Sequence, residues 1–193
     1  MKKLLFVLCL MGSVVSVQAQ LKFGAKVGLN IAKVTGDDMD DAKSLLAPQF
    51  GVFANYSISD KLTIQPELLY SMQGFKIEES YEGETYEGKL KLDYILVPIM
   101  VKFYPITGLS LQAGPQLGFL VSAKWKETGE PEEDVKDDAK KFDLGLNLGA
   151  GYELENGLGL DLRYNFGLTN INKEDEMGDM KNGVFSIAVS YSF

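Results

Sequence analysis

The sequence predicts an all-β fold: an eight-stranded antiparallel up-and-down transmembrane β-barrel with short periplasmic turns and long extracellular loops. Three observations predict it. Apolar residues recur at every second position through most of the chain, the connections alternate between short and long, and no stretch after the N-terminal leader is apolar for long enough to form a membrane helix. Side chains on a strand point alternately to opposite faces, so strict alternation means one apolar and one polar face. Roughly 9–11 residues of tilted strand cross a bilayer, and the strands read here have about that length.

The first strand is Leu21–Val34, with Leu21, Phe23, Ala25, Val27, Leu29 and Ile31 on one face and Lys22, Gly24, Lys26, Gly28 and Asn30 on the other. The second, Pro48–Ser59, carries Phe50, Val52, Ala54, Tyr56 and Ile58 on its apolar face. The third, Lys61–Phe75, sets Leu62, Ile64, Pro66, Leu68, Tyr70 and Met72 against Gln65, Glu67, Ser71 and Gln73. The fourth, Lys89–Tyr104, alternates less cleanly: Ile95, Val97, Ile99, Val101 and Phe103 stand opposite Tyr94, Leu96, Pro98, Met100 and Lys102. Pro98 removes a ladder donor, so a bulge is expected there.

The fifth strand is Gly108–Trp125, with Leu109, Leu111, Ala113, Leu117, Phe119 and Val121 against Ser110, Gln112, Gln116 and Ser122. The sixth and seventh give the clearest alternation. Phe142, Leu144, Leu146, Leu148, Ala150, Tyr152 and Leu154 are separated by Asp143, Gly145, Asn147, Gly149, Gly151 and Glu153. After Asn156-Gly157, the dipeptide a tight hairpin prefers, Leu158, Leu160, Leu162, Tyr164, Phe166 and Leu168 alternate with Gly159, Asp161, Arg163, Asn165, Gly167 and Thr169. The eighth strand, Gly183–Phe193, ends on Tyr191 and Phe193.

The opening MKKLLFVLCLMGSVVSVQAQ has a positive start, a short apolar core and Val17-Gln18-Ala19 before a cut. It reads as a secretory signal peptide over residues 1–19, leaving one barrel domain over residues 20–193. Its apolar run is shorter than a spanning helix needs. Cys9 is the only cysteine and lies inside this leader, and there is no histidine. Disulfides, thiolate chemistry and histidine-based catalysis or metal binding are therefore excluded for the mature chain. No cofactor and no enzyme activity are expected. The net charge of −8 repels phosphate backbones, so a nucleic-acid partner is not expected.

The short connections are Ser59–Lys61, Pro105–Thr107 and Glu155–Gly157; the long ones are Thr35–Ala47, Lys76–Gly88, Lys124–Lys141 and Ile171–Asn182. The long loops hold twenty of the 27 acidic residues, including Asp37, Asp38, Glu132, Glu133 and Asp134. Such runs read first as solvated loops. A sharper reading is a cation-bridged contact with anionic lipopolysaccharide or an unknown protein partner. The Asp37–Asp41 cluster lacks the ligand spacing and central glycine of a calcium loop, so no metal site is expected.

Alternation does not say which face points out, because a soluble lipocalin-like barrel alternates too. The polar face is rich in Gly, Ser, Asn and Gln, which suits a narrow lumen better than a water-facing surface. Aromatics recur near strand ends at Tyr56, Tyr70, Phe103, Tyr104, Trp125, Phe142, Tyr152 and Phe166, as in interfacial girdles. The final Tyr191 and Phe193 resemble the C-terminal signal read by the barrel-assembly machinery. Together these place the chain in the outer membrane of a Gram-negative bacterium, among outer-membrane lipid and lipopolysaccharide.

Tyr94-Ile95-Leu96-Val97-Pro98-Ile99-Met100-Val101-Lys102-Phe103-Tyr104 resembles the Y-x-x-x-P-x-x-x-K-Y/F motif of PorT-like outer-membrane β-barrel proteins. Gln65-Pro66-Glu67-Leu68-Leu69-Tyr70-Ser71, Gly114-Pro115-Gln116-Leu117-Gly118, Gly149–Glu153 and Arg163–Leu168 are similar to further segments of that family, in its order. The resemblance implies an integral, porin-like outer-membrane barrel with no shared enzyme activity, in a family whose namesake is linked to a secretion and gliding apparatus.

Eight strands leave an interior just wide enough to be filled by side chains. The inward set is Lys26, Gln65, Glu67, Lys102, Gln112, Gln116, Asn147, Glu153, Asp161 and Arg163. Both signs occur, which predicts a salt-bridged polar plug. Glu153 and Asp161 are expected as inward neighbours, but beside lysine and arginine they read as ion-pair partners rather than an acid/base pair. Two functions follow: a plugged membrane anchor that acts structurally or through its loops, or a narrow porin-like channel or accessory of a secretion apparatus. Phe193 at the end predicts no added peptidoglycan-binding domain.

Overall fold

The computed structural model describes residues 21–36, 42–81, 84–173 and 179–193. The leader and Asp37, Asp38 and Asp40–Asp41 lie outside the described residues. The strands are β1 (Leu21–Gly36), β2 (Lys43–Ser59), β3 (Leu62–Tyr81), β4 (Glu84–Ile106), β5 (Leu109–Glu127), β6 (Glu133–Asp134), β7 (Phe142–Glu153), β8 (Leu158–Gly167) and β9 (Met180–Ser192). Neighbours in the sheet run β4-β3-β2-β1-β9-β8-β7-β5, and a β4–β5 pairing closes the ring. Every pairing is antiparallel. The result is a closed eight-stranded up-and-down barrel, with the two-residue β6 laid on β5 outside the ring. Closure leaves no unpaired edge within the barrel, which a hydrocarbon environment demands.

Alternation decides the two faces. Phe23, Val27, Leu29, Phe50, Val52, Leu68, Leu111, Leu148, Leu160, Ile187 and Val189 all point outward and are exposed, while Lys26, Asn30, Gln65, Glu67, Gln112, Asp161 and Arg163 are buried. This inverts the arrangement of a soluble domain and gives a continuous apolar belt around the barrel. Tyr191 and Phe193 are exposed on that belt, edge to face with centroids 5.3 Å apart.

Several sequence expectations need correction. Strands β2, β3, β4 and β5 run further on the loop side than alternation of apolar residues indicated. Most of Lys76–Gly88 is a hairpin, with Lys76 paired to Lys89 and Tyr81 to Glu84. Charged residues alternating beyond the membrane are as compatible with a strand as apolar ones are within it. Pro98 marks no bulge: register is the same on either side of it, from Pro66↔Ile99 to Leu69↔Leu96 and from Pro98↔Gln116 to Val101↔Ala113. The β4–β5 irregularities fall instead at Asp93/Tyr94 and Phe103/Ile106. Two aromatics do not join a girdle. Trp125 is half-buried over Gly88 on the inner side of the hairpin, and Tyr104 is half-buried against Thr63.

Candidate functional site

The lumen is the one place where polar chemistry is gathered inside this barrel. Its turn-side half is built by the starts of β1, β3, β5 and β8 and the end of β4. Lys26 Nζ lies 3.1 Å from Glu67 Oε1 and 3.1 Å from Asp161 Oδ2. Arg163 Nη2 lies 2.8 Å from Glu67 Oε1, and Lys102 Nζ lies 3.7 Å from Asp161 Oδ1. Gln112 joins the two acids' surroundings: its Nε2 donates to Asp161 Oδ1 at 2.6 Å and its Oε1 accepts from Arg163 Nε at 2.9 Å. Gln65 donates to Glu67 Oε1. Five charges from four strands thus share one desolvated cluster, in which three cations divide two carboxylates so that each ion has an opposite charge within 4.0 Å.

Glycine makes the room. A Cβ on Gly151 would lie 2.4 Å from Gln112 Nε2 and 2.5 Å from Asp161 Oδ1. The small polar face of β7 is therefore the space into which the long side chains of β5 and β8 fold. Glu153, diagonal to Asp161 across β7–β8, stays half-buried at the turn-side mouth. It lines a small pocket there with Lys102, Ser110, Asp161 and Ser190.

Above this cluster is an amide and hydroxyl layer. Asn30 Nδ2 donates to Ser71 Oγ at 2.9 Å, Asn147 Nδ2 to Gln116 Oε1 at 3.1 Å, and Asn165 Nδ2 to Asn147 Oδ1 at 3.2 Å. These groups line a small cavity between Lys26, Asp161 and Arg163 below and Leu69, Leu96 and Val184 above. The Asn30 and Asn165 Oδ1 atoms have no protein partner, so the cavity suits ordered water.

The loop-side half is different. Val34, Leu69, Phe75, Leu92, Tyr94, Leu96, Leu120, Ala123, Ile171 and Met180 form a buried apolar cluster, with Ala42, Ile77, Leu90, Val135 and Ala139 packed against it. Sequence reasoning missed this layer. Its signal was the irregular fourth strand: Leu90, Leu92, Tyr94 and Leu96 are apolar on the face opposite Ile95 and Val97, and a strand apolar on both faces is buried on both.

The described parts of two long connections meet over the cluster. Lys140 N donates to Ile171 O at 2.7 Å, Lys173 N to Asp138 O at 3.1 Å, and Ala139 bridges Asn172. Beneath this lid Asp143 accepts from Thr169 Oγ1 at 2.6 Å and from Asn182 Nδ2 at 2.9 Å.

Three of the acidic loop residues singled out by the sequence lie within the described chain. Glu132 pairs with Lys91 and Lys124, while Glu133 and Asp134 form β6 against Trp125 and Lys124. The Glu132 carboxyl is held below its ordinary range by Lys91 first and Lys124 second. Among the described residues no group of acids is placed to hold a metal ion.

Comparison with known proteins adds the following. The family model for an outer membrane protein β-barrel domain matches residues 18–173. Neisserial surface protein A is 16% identical, with 90% of this chain and 97% of that one covered and a TM-score of 0.53. Ail, the attachment invasion locus protein of Yersinia pestis, solved in complex with the heparin analogue sucrose octasulfate, is 18% identical, with 90% and 99% covered and a TM-score of 0.53. A second structure of Ail gives 16% identity, the same coverage and a TM-score of 0.51. No curated protein matches the chain. At these identities the likeness is one of fold.

Proposed function

This chain belongs to the outer membrane protein β-barrel domain family and lies in the outer membrane of a Gram-negative bacterium, and from that premise we propose that it is a plugged, non-catalytic anchor presenting an extracellular sheet and loops to a partner. The observation that carries this reading is the double closure of the lumen. An ion needing a wet path meets the Lys26–Glu67–Arg163–Asp161 cluster in one half and the Leu92–Tyr94–Leu96 layer, roofed by Val135, Ala139 and Ile171, in the other. Eight-stranded barrels lack the width of porins.

The partner in this reading is a protein met through the loops, where acidic residues dominate, and the contact weakens with added salt. Ail is solved with a sulfated heparin analogue; an acidic loop set argues for a cationic partner here instead. The finer assignment to PorT-like barrels, the use of Tyr191 and Phe193 by the assembly machinery, and removal of residues 1–19 are parts of the same proposal.

Conductance of the refolded barrel in planar bilayers, with its mass determined in detergent, tests the reading. Stable monomers without current steps support the anchor. Reproducible steps overturn it in favour of a narrow channel, and the polar cavity between the two layers then becomes part of the conducting path.

A further inference from the structure

Beyond the apolar belt on the loop side, the outward face of the β2–β5 sheet carries lysines in register. Lys43 stands opposite Lys76, Lys76 opposite Lys89, and Lys89 opposite Lys126, so four adjacent strands hold four lysines in one cross-strand row. Lys91 and Lys124 form a further opposed pair one pleat nearer the belt. Neighbouring strands are roughly 4.8 Å apart, and like charges directly opposite each other are destabilising. A row of this kind is stabilised by something negative lying along it.

Among the described residues, three carboxylates are shared by five of these six lysines. Glu87 Oε1 lies 3.2 Å from Lys76 Nζ and 2.7 Å from Lys89 Nζ, Glu78 pairs with Lys43, and Glu132 is shared between Lys91 and Lys124. Asp134 lies opposite Lys124, and Asp93 accepts from the Tyr70 hydroxyl at 2.8 Å. The acids are segregated by position. Glu78 and Glu87 lie opposite each other one pleat further from the belt than the four-lysine row, while Glu132 and Asp134 come from the segment beside β5. The four-lysine row lies between the Glu78–Glu87 pair and the apolar belt, while Asp134 stands level with Lys124 and Asp93 lies on the belt side of Lys91, in a chain whose net charge is −8.

That level is set by the outermost apolar residues: Leu46 on β2, Met72 on β3, Ile95 on β4 and Val121 on β5. The six lysines lie three to six residues beyond these on the loop side, roughly 8–16 Å above the belt for tilted strands. Their side chains point sideways, over the surrounding lipid, rather than into the lumen or up from the loops. We propose that this lysine face binds phosphate groups of outer-leaflet lipids, fixing the barrel's height and orienting its protruding sheet against the membrane surface. The basic face, rather than cation-bridged acidic loops, then makes the lipid contact.

The test is the lipid retained by the full barrel after detergent extraction from nanodiscs, counted by native mass spectrometry. The nanodiscs contain phosphatidylcholine alone, or with phosphatidylglycerol or lipopolysaccharide added. The native barrel is expected to keep the phosphate-rich lipids in preference to phosphatidylcholine. The K43Q/K76Q/K89Q/K126Q variant is expected to keep them at least about tenfold less, since each lysine near an anionic surface contributes about 1 kcal/mol, or roughly fivefold. The corresponding four-arginine variant is expected to keep them. Folding is checked by the electrophoretic shift on heating, and K89Q/K126Q serves if the quadruple variant does not fold. Equal retention by the glutamine variant overturns the proposal. So does displacement of the lipid by inorganic phosphate at matched phosphate concentration, which identifies a free-anion site, or by dextran sulfate, which identifies a soluble polyanion site.

Discussion

The turn-side half of the lumen is held by Lys26, Glu67, Lys102, Asp161 and Arg163, whereas the loop-side half is held by Leu92, Tyr94, Leu96, Phe75 and Leu120. Both halves fill the same ring of strands, yet they respond to opposite rules. A buried charge is tolerated only in one geometry, because its desolvation is offset only when its partners stand close. An apolar cluster accepts many arrangements of similar volume. The difference teaches that the charged half specifies which strand faces which, and the apolar half seals the end where two loops must be closed over water.

The largest effect is expected where one ion leaves others uncompensated. Glu67→Gln leaves Lys26, Lys102 and Arg163 to share Asp161 as their one acid within the cluster, and its cost is about 3–5 kcal/mol. Urea unfolding in lipid vesicles checks it, and an unchanged midpoint would mean that the charges are not the specifying element. Leu92→Ala on the apolar side is expected to cost about 2–5 kcal/mol by leaving a cavity. Leu92→Met, which nearly keeps the volume, should retain most of that stability, whereas Glu67→Asp, which keeps the charge but shortens its reach, should not. Equal tolerance of the two conservative changes would erase the distinction between the halves.

Gly151→Ala probes the boundary condition of the charged half. The added methyl meets Gln112 and Asp161 at less than contact distance, and the expected destabilisation is about 1–3 kcal/mol. Urea unfolding in lipid vesicles checks it; an unchanged midpoint would show that space in the lumen is not what Gly151 provides.

The smallest effect lies outside the membrane. Lys89, then Lys76, hold the Glu87 carboxyl below its ordinary value of 4.5, and Lys91, then Lys124, do the same for Glu132. A lowered folded-state value means that these pairs contribute fully above pH about 4.5 and lose that contribution as pH falls further, through the folded-state value. Glu132 is exposed and Glu87 half-buried at the water-facing end of the sheet, so screening keeps the effect slight. Hydrogen-exchange protection factors in the β3–β4 hairpin, taken relative to the intrinsic rate at each pH, should fall below that pH, and Lys124→Gln should blunt the change at the neighbouring β5–β6 segment.

The sequence was most informative where one physical rule acted alone. In β7 and β8 the only requirement is an apolar outside and a small polar inside, and strict alternation from Phe142 to Leu168 reports it. The polar residues that gather in the lumen were legible from the same parity. The β3–β4 hairpin was less legible because, above the membrane, both faces are charged or mixed and no hydrocarbon imposes a pattern. The apolar layer was hidden because Leu92, Tyr94 and Leu96 share a strand with outward Ile95 and Val97, so neither face stands out.

By itself, then, the sequence determined the class of fold, the outward face of most strands and the identity of the groups inside, because side-chain parity is a local property with a period of two. The tertiary structure alone decided which of those groups meet. Lys26 reaches Glu67 and Asp161 only because the shear of a closed ring brings β1, β3 and β8 to one level. Four lysines on four strands become one row only through register. Register is set by the cooperative closure of the whole ring, and no single strand encodes it.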